Sequence, residues 1–303
     1  MTALGTGISA QLDKMDLTDF AGILDNIESL GAETIEIPLY DMDIVVGGRI
    51  RPERLKLMKD ACLGRDVTYT VHGPLATNFM DQPFRLERHM DVLKASLDAS
   101  AEIGAVHYVM HTGLIPMQLA EGIEAAYGRQ REMLASAGDY ARERNIVLCV
   151  ENLFGGYEGK VHTATPSRLA RELGAIDHSH VLATLDFSHA YLHCNFLGID
   201  YLSEIEQLSP YAKHLHMHDS FGRQDDVWMF TDGERTAYGH GDLHLPVGWG
   251  NIPWTDVFER CLFPEKSVFN IELKKRYWYK ARSVIETSKT YAANVRTLER
   301  SAA

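Results

Sequence analysis

Residues 146–151 read Ile-Val-Leu-Cys-Val-Glu, and residues 181–186 read Val-Leu-Ala-Thr-Leu-Asp. Each segment is a short apolar run that ends in a carboxylate, and its length fits a β-strand better than a helix. The same form recurs along the chain, with a metal-binding side chain at or near the end of each run. These side chains belong to His72, His111, Glu151, Asp186, His216 and Glu272. Their spacing, about one strand plus one helix, indicates a repeated βα unit whose polar groups reach one end of a parallel sheet.

Strand-like runs divide the chain into repeats of similar length. They lie near residues 3–9, 34–38, 67–72, 106–111, 146–151, 181–186, 213–218 and 267–272. Between them lie helical patterns, such as the four-and-three spacing of Leu86, Met90, Leu93 and Leu97. Eight such repeats predict closure into a (β/α)8 TIM barrel, an α/β domain over residues 1–303. An open, doubly wound sheet is the alternative, but its ligands would gather at one switch point rather than on six strands.

Composition narrows the class of protein. The chain has 303 residues, 45% of them hydrophobic, which is enough for one large core. A net charge of −12 argues against a protein that neutralises a phosphate backbone, so no nucleic-acid partner is expected. The cysteines form no CxxC pair, which is typical of a reduced, cytoplasmic protein. We predict no secretory signal and no membrane span, because no basic n-region or long apolar stretch is evident.

The segment between Asp219 and Trp254 is much longer than an ordinary connection and follows the seventh predicted strand. It is rich in glycine and carries the aromatic residues Trp228, Phe230, Tyr238 and Trp249. A loop of this length in a compact domain is typically a lid or a binding loop. A surface insertion without a role is the alternative, and the aromatic residues weigh against it.

Four residues make the minimum candidate site, namely Glu151, Asp186, His216 and Glu272. Three carboxylates and one imidazole suit a divalent ion such as Mn²⁺, Mg²⁺, Co²⁺ or Zn²⁺. Two carboxylates on opposite sides of such an ion can also give and take a proton on a substrate. Any one of them alone could simply form a salt bridge within the barrel, but four in phase indicate a site.

A second group of candidate ligands comprises His72, His111, His189, Asp242 and His244. Asp186 and His189 are three residues apart just past a strand, where one turn can direct both side chains inward. Asp242 and His244 alternate in the long loop, so they share a face if that segment is extended. The alternative for each histidine is a packed core or loop residue.

Short motifs hold most of these residues. They are Thr-Val-His72-Gly-Pro, His111-Thr-Gly, Val-Glu151-Asn, Leu-Asp186-Phe-Ser-His189-Ala, His216-Met-His-Asp-Ser, Asp242-Leu-His244, Gly248-Trp-Gly-Asn and Ile-Glu272-Leu. As an ordered series, they resemble the xylose-isomerase-like TIM-barrel superfamily. That superfamily contains sugar isomerases, sugar 3-epimerases, inosose-processing dehydratases and isomerases, and endonuclease IV, a family 2 apurinic endonuclease. The resemblance covers about residues 67–273 and is specific for the superfamily, but much less so for the reaction.

Two patterns within the superfamily compete. In the epimerase and isomerase pattern, the positions matching Glu151, Asp186, His216 and Glu272 hold one metal, the two glutamates move the proton, and the position matching His189 contacts the sugar. In the endonuclease IV pattern, nine ligands hold three zinc ions. All nine have a match here, and they are His72, His111, Glu151, Asp186, His189, His216, Asp242, His244 and Glu272. The resemblance therefore implies that this chain can hold more than one ion.

The chain also departs from those patterns. Gly248-Trp249-Gly250 stands where endonuclease IV and many epimerases have Gly-Glu-Gly, so Trp249 could stack on a sugar, although a packed structural tryptophan fits equally well. Lys274 begins a basic run after the last strand, where barrels often hold phosphate, and Arg223 is a weaker anion candidate. Either could equally be a solvated surface residue.

The sequence therefore favours a metal-dependent isomerase or epimerase acting on a sugar, sugar acid or polyol-derived ketone. Glu151 or Glu272 would act as the base that forms an enediolate. A dehydratase or lyase could use the same intermediate. A multinuclear zinc hydrolase of a phosphate ester is the main alternative, and a non-catalytic metal or sugar binding module is the third. The substrate, the stereocentre, the metal and homo-oligomer formation remain open.

Overall fold

A computed structural model describes residues 3–155, 160–224 and 227–297. Its centre is a closed barrel of eight parallel strands, and each strand pairs with its neighbours in chain order until the last meets the first. The strands are β1 Ala3–Ser9, β2 Thr34–Pro38, β3 Thr68–His72, β4 His107–His111, β5 Val147–Glu151, β6 Val181–Asp186, β7 Ala212–Met217 and β8 Ser267–Ile271. The predicted TIM barrel is confirmed, and every predicted strand has its counterpart within about one residue at either end.

Helices surround the barrel and shield it from solvent. They are α1 Phe20–Ser29, α2 Pro52–Cys62, α3 Leu86–Ala101, α4 Ile123–Arg142, α5 Pro166–Ile176, α6 Phe187–Leu197, α7 Tyr201–Leu208, α8 Asp232–Tyr238, α9 Trp254–Arg260 and α10 Ala281–Asn294. The predicted stripe on α3 faces inward, with Leu93 and Leu97 fully buried. Within the described ranges, no helix is both long and apolar enough to cross a membrane.

The helix starts follow local side-chain chemistry. Thr165 caps α5 by accepting a hydrogen bond from the Arg168 N–H, and Pro166 fills the first helical position. Asp186 caps α6 by accepting from the His189 N–H. This second cap also holds the Asp186 side chain, a candidate metal ligand, in place at the carboxyl end of β6.

The barrel interior is unusually polar below the candidate site. Its buried side chains include Thr34, Thr70, His107, Thr184 and His214. The apolar core lies instead between the barrel and the helices, where Leu24, Ile35 and Phe269 are fully buried. The strands therefore carry polar groups inward and apolar groups outward, as their alternating side-chain directions allow.

The long loop after β7 is tied to the barrel by the Asp219 carboxylate. This buried group accepts hydrogen bonds from the Gly248 N–H, the Ile252 N–H and the Trp254 indole. The loop contains α8, which starts in a capping box of Thr231 and Glu234.

The four cysteines of the chain are free and buried.

Gly7 provides a test of barrel packing. A Cβ at this position would overlap the Thr34 carbonyl oxygen on the neighbouring strand, whereas a Cβ at Gly22 on α1 would meet nothing within 4 Å. We expect Gly7→Ala to lower the free energy of unfolding by about 1–3 kcal/mol. Gly22→Ala, the matched control, should raise it by about 0.5–1 kcal/mol because alanine favours the helix. Urea denaturation measures both, and equal stabilities would contradict the predicted clash.

Candidate metal centre

The side chains of all nine candidate ligands converge at the carboxyl end of the barrel. Strand register explains the convergence, since Asp186 pairs with His216 across β6 and β7, and His111 pairs with Glu151 across β4 and β5. Glu272 lies one residue beyond β8, and the loop after β7 adds Asp242 and His244.

Glu151 is the hub of this cluster and is 1% exposed. Its Oε1 lies 3.2 Å from the Nδ1 atoms of both His216 and His189. Its Oε2 lies 3.2 Å from His72 Nε2 and 3.6 Å from His111 Nε2. One buried carboxylate therefore faces four imidazoles contributed by three other strands and α6.

Asp186 joins the cluster through its second oxygen. Its Oδ1 accepts the cap hydrogen bond of 2.7 Å from the His189 N–H, which leaves Oδ2 for the site. That oxygen lies 3.7 Å from His216 Nδ1 and 3.6 Å from His189 Nδ1. The three-residue spacing of Asp186 and His189 thus brings both side chains to the same side, as the sequence predicts.

The loop residues form the outer part of the cluster. Asp242 Oδ2 lies 2.7 Å from His244 Nε2 and 3.4 Å from His189 Nε2. Glu272 Oε2 lies 3.6 Å from both His244 Nδ1 and His216 Nδ1. His244 is held with a positive φ of 45°, an uncommon conformation for this residue type. The geometry therefore joins the late loop to the barrel ligands through Glu272.

His218 belongs to the same cluster, although the sequence reasoning does not single it out. It is fully buried, its Nε2 lies 2.9 Å from Asp186 Oδ2, and its ring stacks on His244 at 4.0 Å. Its Nδ1 has no hydrogen-bond partner among the residues that the structure describes, and it faces Asp242 Oδ1 at 3.7 Å. Alternation along an extended segment could have revealed it, because His214, His216 and His218 share one face.

Glu36 is the second residue that the sequence reasoning misses. It stands inside β2, is 1% exposed, and places Oε2 3.3 Å from His216 Nε2. A glutamate within the apolar run Thr-Ile-Glu-Ile-Pro is the signal that could have indicated it. Tyr40, just past β2, packs edge-on against His72 with ring centroids 5.4 Å apart.

Glu151 and Asp242 are held in their charged form, because the pKa of each carboxyl group is lowered. Burial would raise the pKa of Glu151, but the adjacent His216 and the hydrogen bonds from His189, His216 and His72 hold it well below its usual range. Burial likewise opposes a low pKa at Asp242, and the His244 charge outweighs it. The site is therefore rich in anionic oxygen donors.

The imidazoles respond in different ways. Burial would lower the pKa of His216, but the charges of Glu272, Glu151 and Glu36 raise it well above its usual value. Asp242 overcomes burial in the same way and raises the pKa of His244 to about 9. Burial dominates at His111 and lowers its pKa to about 4. A cation that binds here must displace protons from some of these rings.

The donor set fits a divalent metal ion. Among the described residues, potential ligand atoms lie within 4.8 Å of one another in four groups, three of which are linked by the shared residues Glu151 and His216. These groups are Glu151–Asp186–His216, His72–His111–Glu151, His218–His244–Glu272 and Glu36–His214–His216. The unpartnered Nδ1 of His218 is a further donor that a cation would satisfy. Mixed nitrogen and oxygen donors suit Zn²⁺, Co²⁺ and Mn²⁺ better than Mg²⁺.

A cavity of about 330 Å³ opens onto the cluster from solvent. It is lined by Ser9, Ala10, Gln11, Leu12, Pro38, Tyr40, Asp41, His244, Glu272, Leu273, Lys274 and Lys275. Lys274 therefore lies at the mouth, where its role as a substrate contact stays a prediction, while Lys275 is paired with Asp13. A larger cavity of about 490 Å³ lies beside α1, and none of the nine candidate ligands lines it.

The two remaining substrate candidates have other neighbours. Trp249 is 44% exposed, and its ring lies 5.6 Å from that of Tyr277. Arg223 donates to the Tyr238 carbonyl oxygen within the loop. Neither residue lines the mouth cavity.

Known proteins resemble this chain in sequence or in structure. An uncharacterised protein of Methanocaldococcus jannaschii, MJ1311, is 22% identical over 242 residues, which are 77% of this chain and 75% of that protein. A D-tagatose 3-epimerase-like protein has 18% identity and a TM-score of 0.70, with 95% and 98% of the two chains covered. The D-psicose 3-epimerase of Clostridium cellulolyticum H10 has 16% identity and a TM-score of 0.68, with 95% and 99% covered.

The IolI protein, solved with a bound zinc atom, has 16% identity and a TM-score of 0.64 over 96% of this chain and 97% of that one. These likenesses establish the fold. The family model of the xylose isomerase-like TIM barrel matches residues 24–299, nearly the whole chain. The chain therefore belongs to the xylose isomerase-like TIM barrel family.

Proposed function

We propose that this protein is a divalent-metal-dependent isomerase or epimerase of a sugar, sugar acid or polyol-derived ketone. One observation carries the proposal: Glu151 and Glu272 both approach His216 Nδ1, at 3.2 Å and 3.6 Å, but their exposure differs. The Glu151 side chain is 1% exposed, whereas that of Glu272 is 14% exposed and lines the mouth cavity. Two carboxylates that flank one centre are what proton removal and return require.

Glu151, Asp186, His216 and Glu272 are the residues that would hold the catalytic ion. When bound, a divalent ion would act as a Lewis acid on a carbonyl and its neighbouring hydroxyl. It would thereby acidify the C–H hydrogen on the carbon that bears the hydroxyl. Glu272, which is open to the mouth, would take that proton. The other glutamate would return a proton to the opposite face for epimerisation, and return to the adjacent carbon would give isomerisation.

The lining of the mouth weighs against a phosphorylated substrate. Lys275 is engaged by Asp13, and Arg223 is engaged by the loop backbone. Lys274 is present, but Asp41 and Glu272 line the same cavity. A phosphate group would therefore meet carboxylates as well as a lysine, while hydroxyl groups can hydrogen-bond to both.

The similar structures support the same substrate class. The D-tagatose 3-epimerase-like protein and the D-psicose 3-epimerase carry names of sugar epimerases, and the IolI protein binds zinc. The family match extends to the strands that carry the donors. We propose that the ion is Mn²⁺, Co²⁺, Mg²⁺ or Zn²⁺, and that each chain holds one ion or more.

A multinuclear hydrolase of a phosphate ester is the second candidate function. It is favoured by a specific observation, namely that His189 and His244 meet around one oxygen of Asp242, and none of these three is among the four residues of the first site. Two or more ions can generate hydroxide and clamp a leaving oxygen. The number of ions that bind tightly distinguishes the two functions.

Proton exchange tests the first function directly. The Mn²⁺- or Co²⁺-loaded protein should exchange the hydrogen beside the carbonyl of a ketose when a panel of sugars is incubated in D₂O and followed by proton NMR. Glu151→Gln and Glu272→Gln should each slow exchange by about 10²–10⁴-fold. The exposed Glu132→Gln on α4 is the control and should match the unmodified protein. Full activity in both glutamate variants would contradict the assignment.

His244→Ala separates the two functions. If one ion performs the chemistry, the variant should keep one tightly bound ion per chain and lose only part of its sugar turnover. If the loop holds a further ion, elemental analysis should show fewer ions per chain than in the unmodified protein. Loss of an ion together with loss of phosphatase activity would favour the hydrolase.

Metal affinity should depend on pH. His216 and His244 have raised pKa values, so both are protonated near neutral pH and must lose a proton to bind an ion. We expect affinity for Co²⁺ to fall by about tenfold or more when the pH is lowered from about 8 to about 6. Chelator competition at each pH measures it. An affinity that does not change over this range would show that no ring proton is displaced.

A further inference from the structure

Beneath the candidate centre lies a buried carboxylate that the proposed chemistry does not use. Glu36 Oε1 accepts hydrogen bonds from the Ser9 hydroxyl at 2.9 Å and from Asn270 Nδ2 at 3.0 Å. Asn270 Nδ2 also contacts Ser9 Oγ at 2.8 Å. Three strands, β1, β2 and β8, therefore fix the position of this side chain.

The other oxygen of Glu36 faces two histidines of β7. His216 Nε2 lies 3.3 Å from Oε2 in hydrogen-bond geometry. His214 Nε2 lies 3.1 Å from the same oxygen, but outside hydrogen-bond geometry, and its Nδ1 lies 3.4 Å from His107 Nδ1. All of these residues are at most 2% exposed. Water is thus excluded from the contact between Glu36 and His216.

A carboxylate can only accept hydrogen bonds, so the contact decides which nitrogen of His216 carries a hydrogen. The hydrogen sits on Nε2 and points to Glu36. Nδ1 faces the oxygens of Glu151, Glu272 and Asp186 at 3.2–3.7 Å, so it is the nitrogen that would give up its hydrogen and offer a lone pair when an ion binds. Without Glu36, the carboxylates around Nδ1 would favour a neutral ring that keeps its hydrogen on Nδ1, where it would block the lone pair.

We propose that Glu36 is the positioning residue of the metal centre, which holds His216 in the orientation and tautomer that present Nδ1 to the ion. The inference rests on the metal centre proposed above, but not on its reaction. Glu36 acts through His216 and has no contact with substrate. Its negative charge, fixed by Ser9 and Asn270, also makes His216 a stronger electron donor.

The test measures metal binding rather than turnover. Glu36→Gln keeps the size of the side chain and removes its charge. Its matched control is Glu172→Gln, because Glu172 is also buried, at 3% side-chain exposure, but pairs with Arg131 and Arg168 among the outer helices. The Co²⁺ dissociation constant of each protein is obtained by competition with a chromophoric chelator, and the visible spectrum of bound Co²⁺ reports its ligands.

We expect Glu36→Gln to bind Co²⁺ about 10–100-fold more weakly than the unmodified protein, with an altered spectrum. Glu172→Gln should stay within about twofold of the unmodified affinity, even if it unfolds at a lower temperature. Equal affinity of Glu36→Gln and the unmodified protein would overturn the inference. So would the loss of one whole ion with the other unaffected, because Glu36 would then be a ligand.

Failure of the proposed function has a different signature. If the unmodified protein binds Co²⁺ but exchanges no sugar hydrogen, the proposed reaction is wrong. The role of Glu36 is then decided only by the Co²⁺ affinity of Glu36→Gln. If the unmodified protein binds no Co²⁺, both are overturned. Should Glu36→Gln fail to fold, Ser9→Ala removes one donor that fixes the carboxylate. A fall in Co²⁺ affinity of about threefold or more supports the inference, and unchanged affinity overturns it.

Discussion

The structure depends on the mutual neutralisation of carboxylates and imidazoles buried at one end of the barrel. An isolated carboxylate cannot be buried without a large loss of solvation. The burial of Glu151 is tolerated because four imidazoles surround its carboxylate. The burial of Glu36 is tolerated because its carboxylate contacts a serine hydroxyl, an asparagine amide and two imidazoles. Removal of one member leaves an uncompensated charge, so the cluster must be present almost complete. The same balance leaves a set of lone pairs that a divalent ion can take once ring protons depart.

The barrel makes this balance possible because it brings distant segments together without long side chains. Glu36 and His216 are 180 residues apart in sequence, yet they touch across the interior. Each strand contributes only one or two polar groups, and register decides which ones meet. Below the candidate site, the small side chains of Thr34, Thr70 and Thr184 leave room inside the barrel for the rings of His107 and His214. The polar barrel interior is therefore part of the site, since it supports the ligands from below.

Much of this could be predicted from the sequence. The strand runs, their spacing and the ligand types at their ends specify the barrel, because strand ends in a closed parallel sheet all face one mouth. Glu36 and His218 escape such reasoning for different reasons. Glu36 stands in the middle of a strand rather than at its end, and a single glutamate there has many explanations. His218 follows a stronger candidate, His216, and its contact with Asp186 is seen only in the folded structure. The neighbours of Arg223 and Trp249 depend on how the loop after β7 folds, which no local periodicity specifies.

That loop is where this chain could diverge from a single-ion enzyme. Asp219 anchors it through three donors, so Asp242 and His244 are brought to the cluster by a buried tether rather than by a flexible arm. A lid that only closed over a sugar would not need two ligand types placed beside His189. The stacked pair of His218 and His244 adds further nitrogen donors on the same side. These donors lie next to Glu272, the glutamate that opens to the mouth. A single catalytic ion would leave one Glu272 oxygen to act as the base, whereas a second ion held here would occupy that oxygen as well. The number of ions therefore determines whether Glu272 is free to move a proton, and with it which of the two reactions this barrel can perform.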